Sequence, residues 1–177
     1  MHRPMLLALL VALLGVTGAV EQPRDQTDMK EFPKKAVADI EKLGGKVTVN
    51  DREVVGVELR KATYSNLASL RSFSGLRDLD LAGTDMTDQD LAKLRGFTNL
   101  RSLNLGSTWV TDVGLKELGK FKRLRGLNLN NTRVTFAGLT ELSGLIQLRR
   151  LFLYDTTAPD KGAAALKKAL PKLRIYH

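Results

Sequence analysis

Leu76, Leu100, Leu124 and Leu148 each open a near-copy of one string, and the step between them is the same every time. The copies begin LRDLDLAGTDMTDQDLAKLRGF, LRSLNLGSTWVTDVGLKELGKF, LRGLNLNNTRVTFAGLTELSGL and LRRLFLYDTTAPDKGAAALKKA. A fixed period of this length constrains the fold more than any local propensity. Over the first six positions apolar residues alternate, as in a short strand with Leu79, Leu81 and their equivalents directed inward. In the second half they recur three apart, as Leu115, Leu118 and Phe121 do, which suits one short helix. One strand and one helix within a single repeat cannot bury their own apolar face. Stacking identical units does bury it, and lays a parallel sheet along one side of a solenoid.

The string L-x-x-L-x-L-x-x-T-x-V-T-D-x-G-L-x-x-L resembles the leucine-rich-repeat family over residues 54–177, and most resembles its helix-containing, ribonuclease-inhibitor-like and F-box-associated subtype. That resemblance implies an α/β, right-handed solenoid with a parallel concave sheet and short convex helices. It also implies a non-enzymatic module that binds a protein or peptide on its concave face. The chain departs from the family where Asn or Cys usually follows the strand: Thr84, Thr108, Thr132 and Thr156 stand there. Two readings of that column remain open, a hydroxyl that satisfies buried backbone between repeats and a β-branched residue suited to a strand end.

Helix entry is also legible. Thr87 and Thr111 occupy N-cap positions, and Asp88 and Asp112 follow in the first turn, where the helix dipole favours negative charge. Phe136 replaces that Asp in the third copy, so its helix is expected to be less well capped. Gly114, Gly138 and Gly162 recur one residue before an inward apolar position, which points to close approach of stacked turns.

The flanks divide as follows. Residues 1–19 read as a signal peptide, in which His2 and Arg3 precede the apolar run Met5–Val16, with cleavage after Ala19 or Gly18. As a helix that run reaches about 18 Å, against roughly 30 Å of hydrocarbon. The expected product is an exported protein, periplasmic, cell-surface or extracellular, that is not integral to the membrane. A retained anchor is the rival reading. Residues 20–32 are a polar linker. Residues 33–53 form an N-terminal cap, a helix over 33–43 stopped by Gly44 and then a hairpin turning at Asn50–Asp51. Repeats follow as 54–75 (degenerate), 76–99, 100–123, 124–147 and 148–177 (capping), the last broken by Pro171 before a final edge strand.

Composition narrows the chemistry. The chain has no Cys and two His, His2 and His177, which leaves disulfides, thiolate metal sites and imidazole catalysis almost nothing to work with. No HExxH, GxSxG or phosphate-loop motif is present. Asp78 and Asp80 share one strand face, a pairing that is far more often solvated charge than a catalytic site. No cofactor and no metal are expected.

The outward strand positions carry the remaining information. The third position of each repeat reads Gly56, Asp78, Ser102, Gly126, Arg150; the fifth reads Glu58, Asp80, Asn104, Asn128, Phe152. The face thus runs from acidic through amide to basic and aromatic, and Tyr154 adds to the aromatic end. Arg150, Phe152, Tyr154, Asn128 and Asn104 are the expected binding residues, with Trp109 in the following loop as a second anchor. Arg, Phe and Tyr together match interface hot spots, although the aromatics also suit a cap over the solenoid end. Residues 100–177 hold 14 basic and 5 acidic side chains, and Arg77, Arg101, Arg125 and Arg149 recur along one edge. That charge makes an anionic cell-wall or surface polymer the alternative partner. Nucleic acid is not expected, since no aromatic stacking series accompanies the arginines.

Overall fold

In the computed structural model, which describes residues 32–60, 67, 69–157 and 160–177, each repeat from Leu76 onward opens with a three-residue strand followed by a short helical segment. The strands are β3 (Asp78–Asp80), β4 (Ser102–Asn104), β5 (Gly126–Asn128), β6 (Arg150–Phe152) and β7 (Arg174–Tyr176). They are preceded by β1 (Lys46–Asn50) and β2 (Glu53–Glu58). All seven form one sheet in sequence order. Only β1–β2 is antiparallel, and every later pair is parallel and one repeat out of step. The signal segment and most of the linker lie outside the described residues.

The first helix among the described residues is α1 (Lys34–Lys42), which buries Ala36, Val37 and Ile40. It stops at Gly44, whose φ of 74° is left-handed. The hairpin turns one residue later than the sequence suggests. Asp51 and Arg52 both have positive φ, 47° and 64°, the requirement of a two-residue type I′ turn. Among its described residues the degenerate repeat has, after β2, the 3₁₀ turn Ser69–Ser72, and it still buries Leu70 and Phe73.

Helices in the repeats are short. They are α2 (Asp88–Leu91), α3 (Asp112–Leu118), α4 (Phe136–Leu139) and α5 (Asp160–Ala169). Both α2 and α4 continue as 3₁₀ turns, Ala92–Leu94 and Thr140–Gly144. The core is a column of leucines from successive repeats. Leu76, Leu100, Leu124 and Leu148 are fully buried, as are Leu105 and Leu129 just after the strands and Leu91, Leu115 and Leu139 on the helices. No repeat owns its core; the buried leucines of successive repeats form one continuous cluster.

Polar groups are handled with the same periodicity. The Thr84, Thr108, Thr132 and Thr156 hydroxyls donate to the Leu81, Leu105, Leu129 and Leu153 carbonyls at 2.6 to 2.8 Å. The Thr column therefore closes each repeat's own turn and does not bridge neighbouring repeats. Bridging is done by aspartate. Thr111 donates its N–H and its hydroxyl to the Asp88 carboxylate at 2.8 and 2.6 Å, and Thr135 does the same to Asp112 at 2.7 and 2.5 Å. Glycine makes room for this tie: a Cβ on Gly114 or Gly138 would strike the Asp88 or Asp112 carboxylate.

The third helix is not deprived of its cap by Phe136. Thr135 accepts from the Ala137 N–H at 3.2 Å, as Thr111 accepts from Val113 at 3.3 Å. What Phe136 removes is the tie to the next repeat. At the sequence position of Thr111 and Thr135 the fourth repeat carries Pro159, which has no N–H to donate. Acceptor and donor are absent together. The third and fourth repeats are joined instead by the Thr157 hydroxyl, which donates to the Val134 carbonyl at 3.1 Å.

On the helical side, Arg95 of one repeat grips Glu117 of the next through two nitrogens, and Lys120 bonds both carboxylate oxygens. The Arg95 guanidinium and the Lys120 ammonium together hold the Glu117 carboxyl down to a pKa of about 2.

Two measurements check these contacts. Thr132→Val leaves the Leu129 carbonyl without its buried donor and is expected to cost about 1–3 kcal/mol, read as a lower denaturant midpoint; an unchanged midpoint would show the hydroxyl to be dispensable. For Glu117 the folded pKa lies below its ordinary value of 4.5, so its contribution is complete above that pH and disappears as the folded pKa is crossed. The melting-temperature gap between wild type and Glu117→Gln is therefore expected to close as pH falls from about 4.5 to about 2. It should also narrow with salt, because Arg95 is half-exposed. A gap constant from neutral pH down to about 2 would contradict this.

Candidate binding face

The parallel register turns the sequence columns into physical rows. Gly56, Asp78, Ser102, Gly126, Arg150 and Arg174 pair in one row across six strands, and Glu58, Asp80, Asn104, Asn128, Phe152 and Tyr176 pair in another. Neighbours in a row stand about 4.8 Å apart. Leu79, Leu103, Leu127 and Leu151 lie between the rows and are buried on the opposite side of the sheet.

The acidic end is internally neutralised in part. Arg60 pairs with Asp80 at 2.8 Å and with Glu58 at 3.3 Å, and Asp80 also accepts the Ala82 N–H. Asp78 stays exposed. The two aspartates thus have different surroundings and do not act as a pair. Among the described residues no group of three or more His, Asp or Glu is placed to hold a metal ion.

In the middle of the face the side chains have structural duties that the sequence reading did not anticipate. Asn104 Oδ1 accepts the Gly106 N–H at 3.1 Å, and Asn128 Oδ1 accepts that of Asn130 at 2.9 Å. Each is an Asx turn that bends the chain away after its strand. Only the amide NH₂ group of Asn104 and of Asn128 is left to face outward.

At the basic end the pattern changes. Phe152 has no acceptor to offer, and the duty passes to the preceding repeat: the Tyr154 N–H donates to Asn130 Oδ1 at 2.9 Å. The Phe152 ring stacks on Tyr176 of the last strand, with centroids 4.7 Å apart and planes 13° from parallel. Tyr154 is 48% exposed, and Arg150 and Arg174 are exposed beside the stack. The strand register sets Arg150 and Phe152 at one end of the face, with Tyr154 two residues past Phe152 in the following turn, and adds Tyr176 and Arg174. Sequence reasoning missed these two because the last strand departs from the repeat string. Counting one further repeat on from Arg150 and Phe152 would have found them.

Trp109 does not join this group. It lies between β4 and α3, beyond the sheet, 53% exposed, with the Arg133 guanidinium 4.6 Å from its ring centroid. It makes a cation–π pair with the next repeat.

No protein-family model and no curated protein matches the chain. Solved structures do. Internalin C2 of Listeria monocytogenes is 23% identical, with 68% of this chain and 59% of that chain covered, at a TM-score of 0.50. The tropomodulin C-terminal domain of Caenorhabditis elegans is 14% identical over 79% of this chain and 92% of its own, at 0.54. The chain has the leucine-rich-repeat fold. A leucine-rich-repeat protein of Leptospira interrogans is 25% identical over 64% of this chain, at 0.48. The chain spans 28% of that protein's length and 59% of the internalin's. Among the described residues no helix is long and apolar enough to cross a membrane.

Proposed function

We propose that this chain is an exported, non-enzymatic leucine-rich-repeat module that binds a protein or peptide on the C-terminal half of its concave sheet face. The reading rests on one observation: Phe152 stacked on Tyr176, with exposed Tyr154, Arg150 and Arg174 around it, on a face whose other end is acidic. Stacked aromatics held on a sheet are rigid before binding, so little side-chain entropy is lost when a partner covers them. Aromatic and arginine side chains at the centre of an interface supply most of its binding energy. The outward amides of Asn104 and Asn128 extend the site toward the middle of the face, and Trp109 with Arg133 is a second anchor off the sheet. Glu58 and Asp78 at the far end fix a partner's direction by repelling its acidic segment.

Export rests on the apolar run Met5–Val16 and its small-residue boundary, with the mature chain starting at Val20. The helix-hairpin segment over residues 33–53 serves as the N-terminal cap, covering the edge of the first repeat strand.

The test uses the exported chain, whose N-terminus should read Val20, immobilised against an extract of the cell envelope. A recovered protein partner should bind the Phe152→Ala and Tyr154→Ala variants at least thirtyfold more weakly, about 2 kcal/mol, at low and high salt alike. The control variant Arg77→Ala, on the strand-entry edge at the far end of the sheet, should change affinity only slightly. Aromatic variants that melt at lower temperature yet bind with unchanged affinity would show that the stack only closes the solenoid end. A captured partner released steeply by salt would favour the anionic-polymer reading instead.

A further inference from the structure

The edge where the chain enters each strand carries a second feature, independent of the sheet face. Arg77, Arg101, Arg125 and Arg149 are linked by backbone bonds: the Arg101 N–H donates to the Arg77 carbonyl at 2.7 Å, and the pattern repeats at Arg125 and Arg149. Adjacent arginines therefore sit one strand spacing apart, about 4.8 Å. Two residues earlier in each repeat lies a second column, Gly75, Asn99 and Arg123. Gly75 contributes no side chain, and beside it opens a cleft of about 120 Å³ lined by Glu53, Gly75, Arg77, Asn99, Arg101 and Arg123.

The lining is positioned. Asn99 donates its amide to the Ser74 carbonyl at 3.2 Å and accepts from Arg123 Nη1 at 2.5 Å. Arg123 is thereby oriented through one nitrogen, with its other donors unspent. Among the described residues, no carboxylate lies within ion-pair distance of Arg77 or Arg101. Three arginines thus line one small cleft with a single carboxylate, Glu53, which rests over Gly75 so closely that a Cβ there would overlap it.

We propose that this cleft is an oxyanion site for a tetrahedral dianion, a phosphate or the terminal phosphate of a monoester. A flat carboxylate is satisfied by one guanidinium fork, whereas three arginines lining one cleft can offer donors to an anion with oxygens on several sides. The cleft is half-open to solvent, so the remainder of a larger ligand lies outside it. Glu53 on the rim repels the anion and limits its affinity.

The test titrates the full chain with inorganic phosphate and, separately, with glycerol phosphate, against chloride at matched ionic strength, following the Nε–H signals of Arg77, Arg101 and Arg123. Saturating, one-to-one shifts with phosphate but not chloride are expected. Affinity should fall at least tenfold in Arg77→Ala/Arg101→Ala. It should rise severalfold in Glu53→Gln, a gain that loss of folding cannot produce. Equal binding of the ester supports a site that takes a phosphoryl group on a larger molecule. Binding of inorganic phosphate alone supports a site for the free ion. Shifts that never saturate, or that persist unchanged in the double variant, would overturn the proposal.

Discussion

One strand and one short helix leave a repeat's leucines uncovered, and everything else in this molecule follows from the need to cover them. Leu76, Leu100 and Leu124 reach complete burial only because a repeat lies on either side. The strands supply register through their parallel ladder. The Asp88–Thr111 and Asp112–Thr135 ties do the same for the turns that lead into the helices. A carboxylate that accepts both an N–H and a hydroxyl satisfies two donors at once, which makes it an efficient way to place a polar group beside an apolar stack.

That arrangement restricts what the surface can do. The fifth strand position faces outward and is open to selection for binding, yet at Asp80, Asn104 and Asn128 the same side chain also caps the turn after its strand. Binding chemistry there is limited to groups that can accept from the backbone. Phe152 escapes this restriction because Asn130 takes over the acceptor role for the Tyr154 N–H. The exposed aromatics therefore collect at the one end of the face where the turn is held from the neighbouring repeat.

The solenoid was legible because its signal is periodic: leucines at fixed spacing admit one packing solution, and the sheet and its inward rows followed. The direction of hydrogen bonds was not. Thr132 reads the same whether its hydroxyl points along its own turn or across to the next repeat, and only the fold distinguishes the two. Asp112 read as a dipole-compensating helix residue because sequence shows its neighbours in the chain, whereas its partner Thr135 stands in the next repeat. Phe136 and Pro159 are each ordinary alone; their joint meaning, a missing tie between two repeats, needs the alignment that stacking provides. Of the face, Arg150, Phe152 and Tyr154 came from alternation, while Tyr176 was hidden by the irregular last repeat. Of the arginine-lined cleft, the sequence showed the column Arg77–Arg149 but not the opening beside Gly75.

If the stack is one cooperative body, the face around Phe152 is as rigid as the middle of the sheet, although the turn-to-turn tie is missing just beneath it. Native-state amide hydrogen exchange tests this directly. The Leu105 N–H donates to the Asn128 carbonyl and the Leu129 N–H to the Phe152 carbonyl, each at 2.9 Å. Both amides are predicted to exchange only through global unfolding, with the same opening free energy and the same denaturant dependence. A Leu129 amide that opens well below Leu105, with a small denaturant dependence, would show that the C-terminal repeats unfold on their own and would contradict the account.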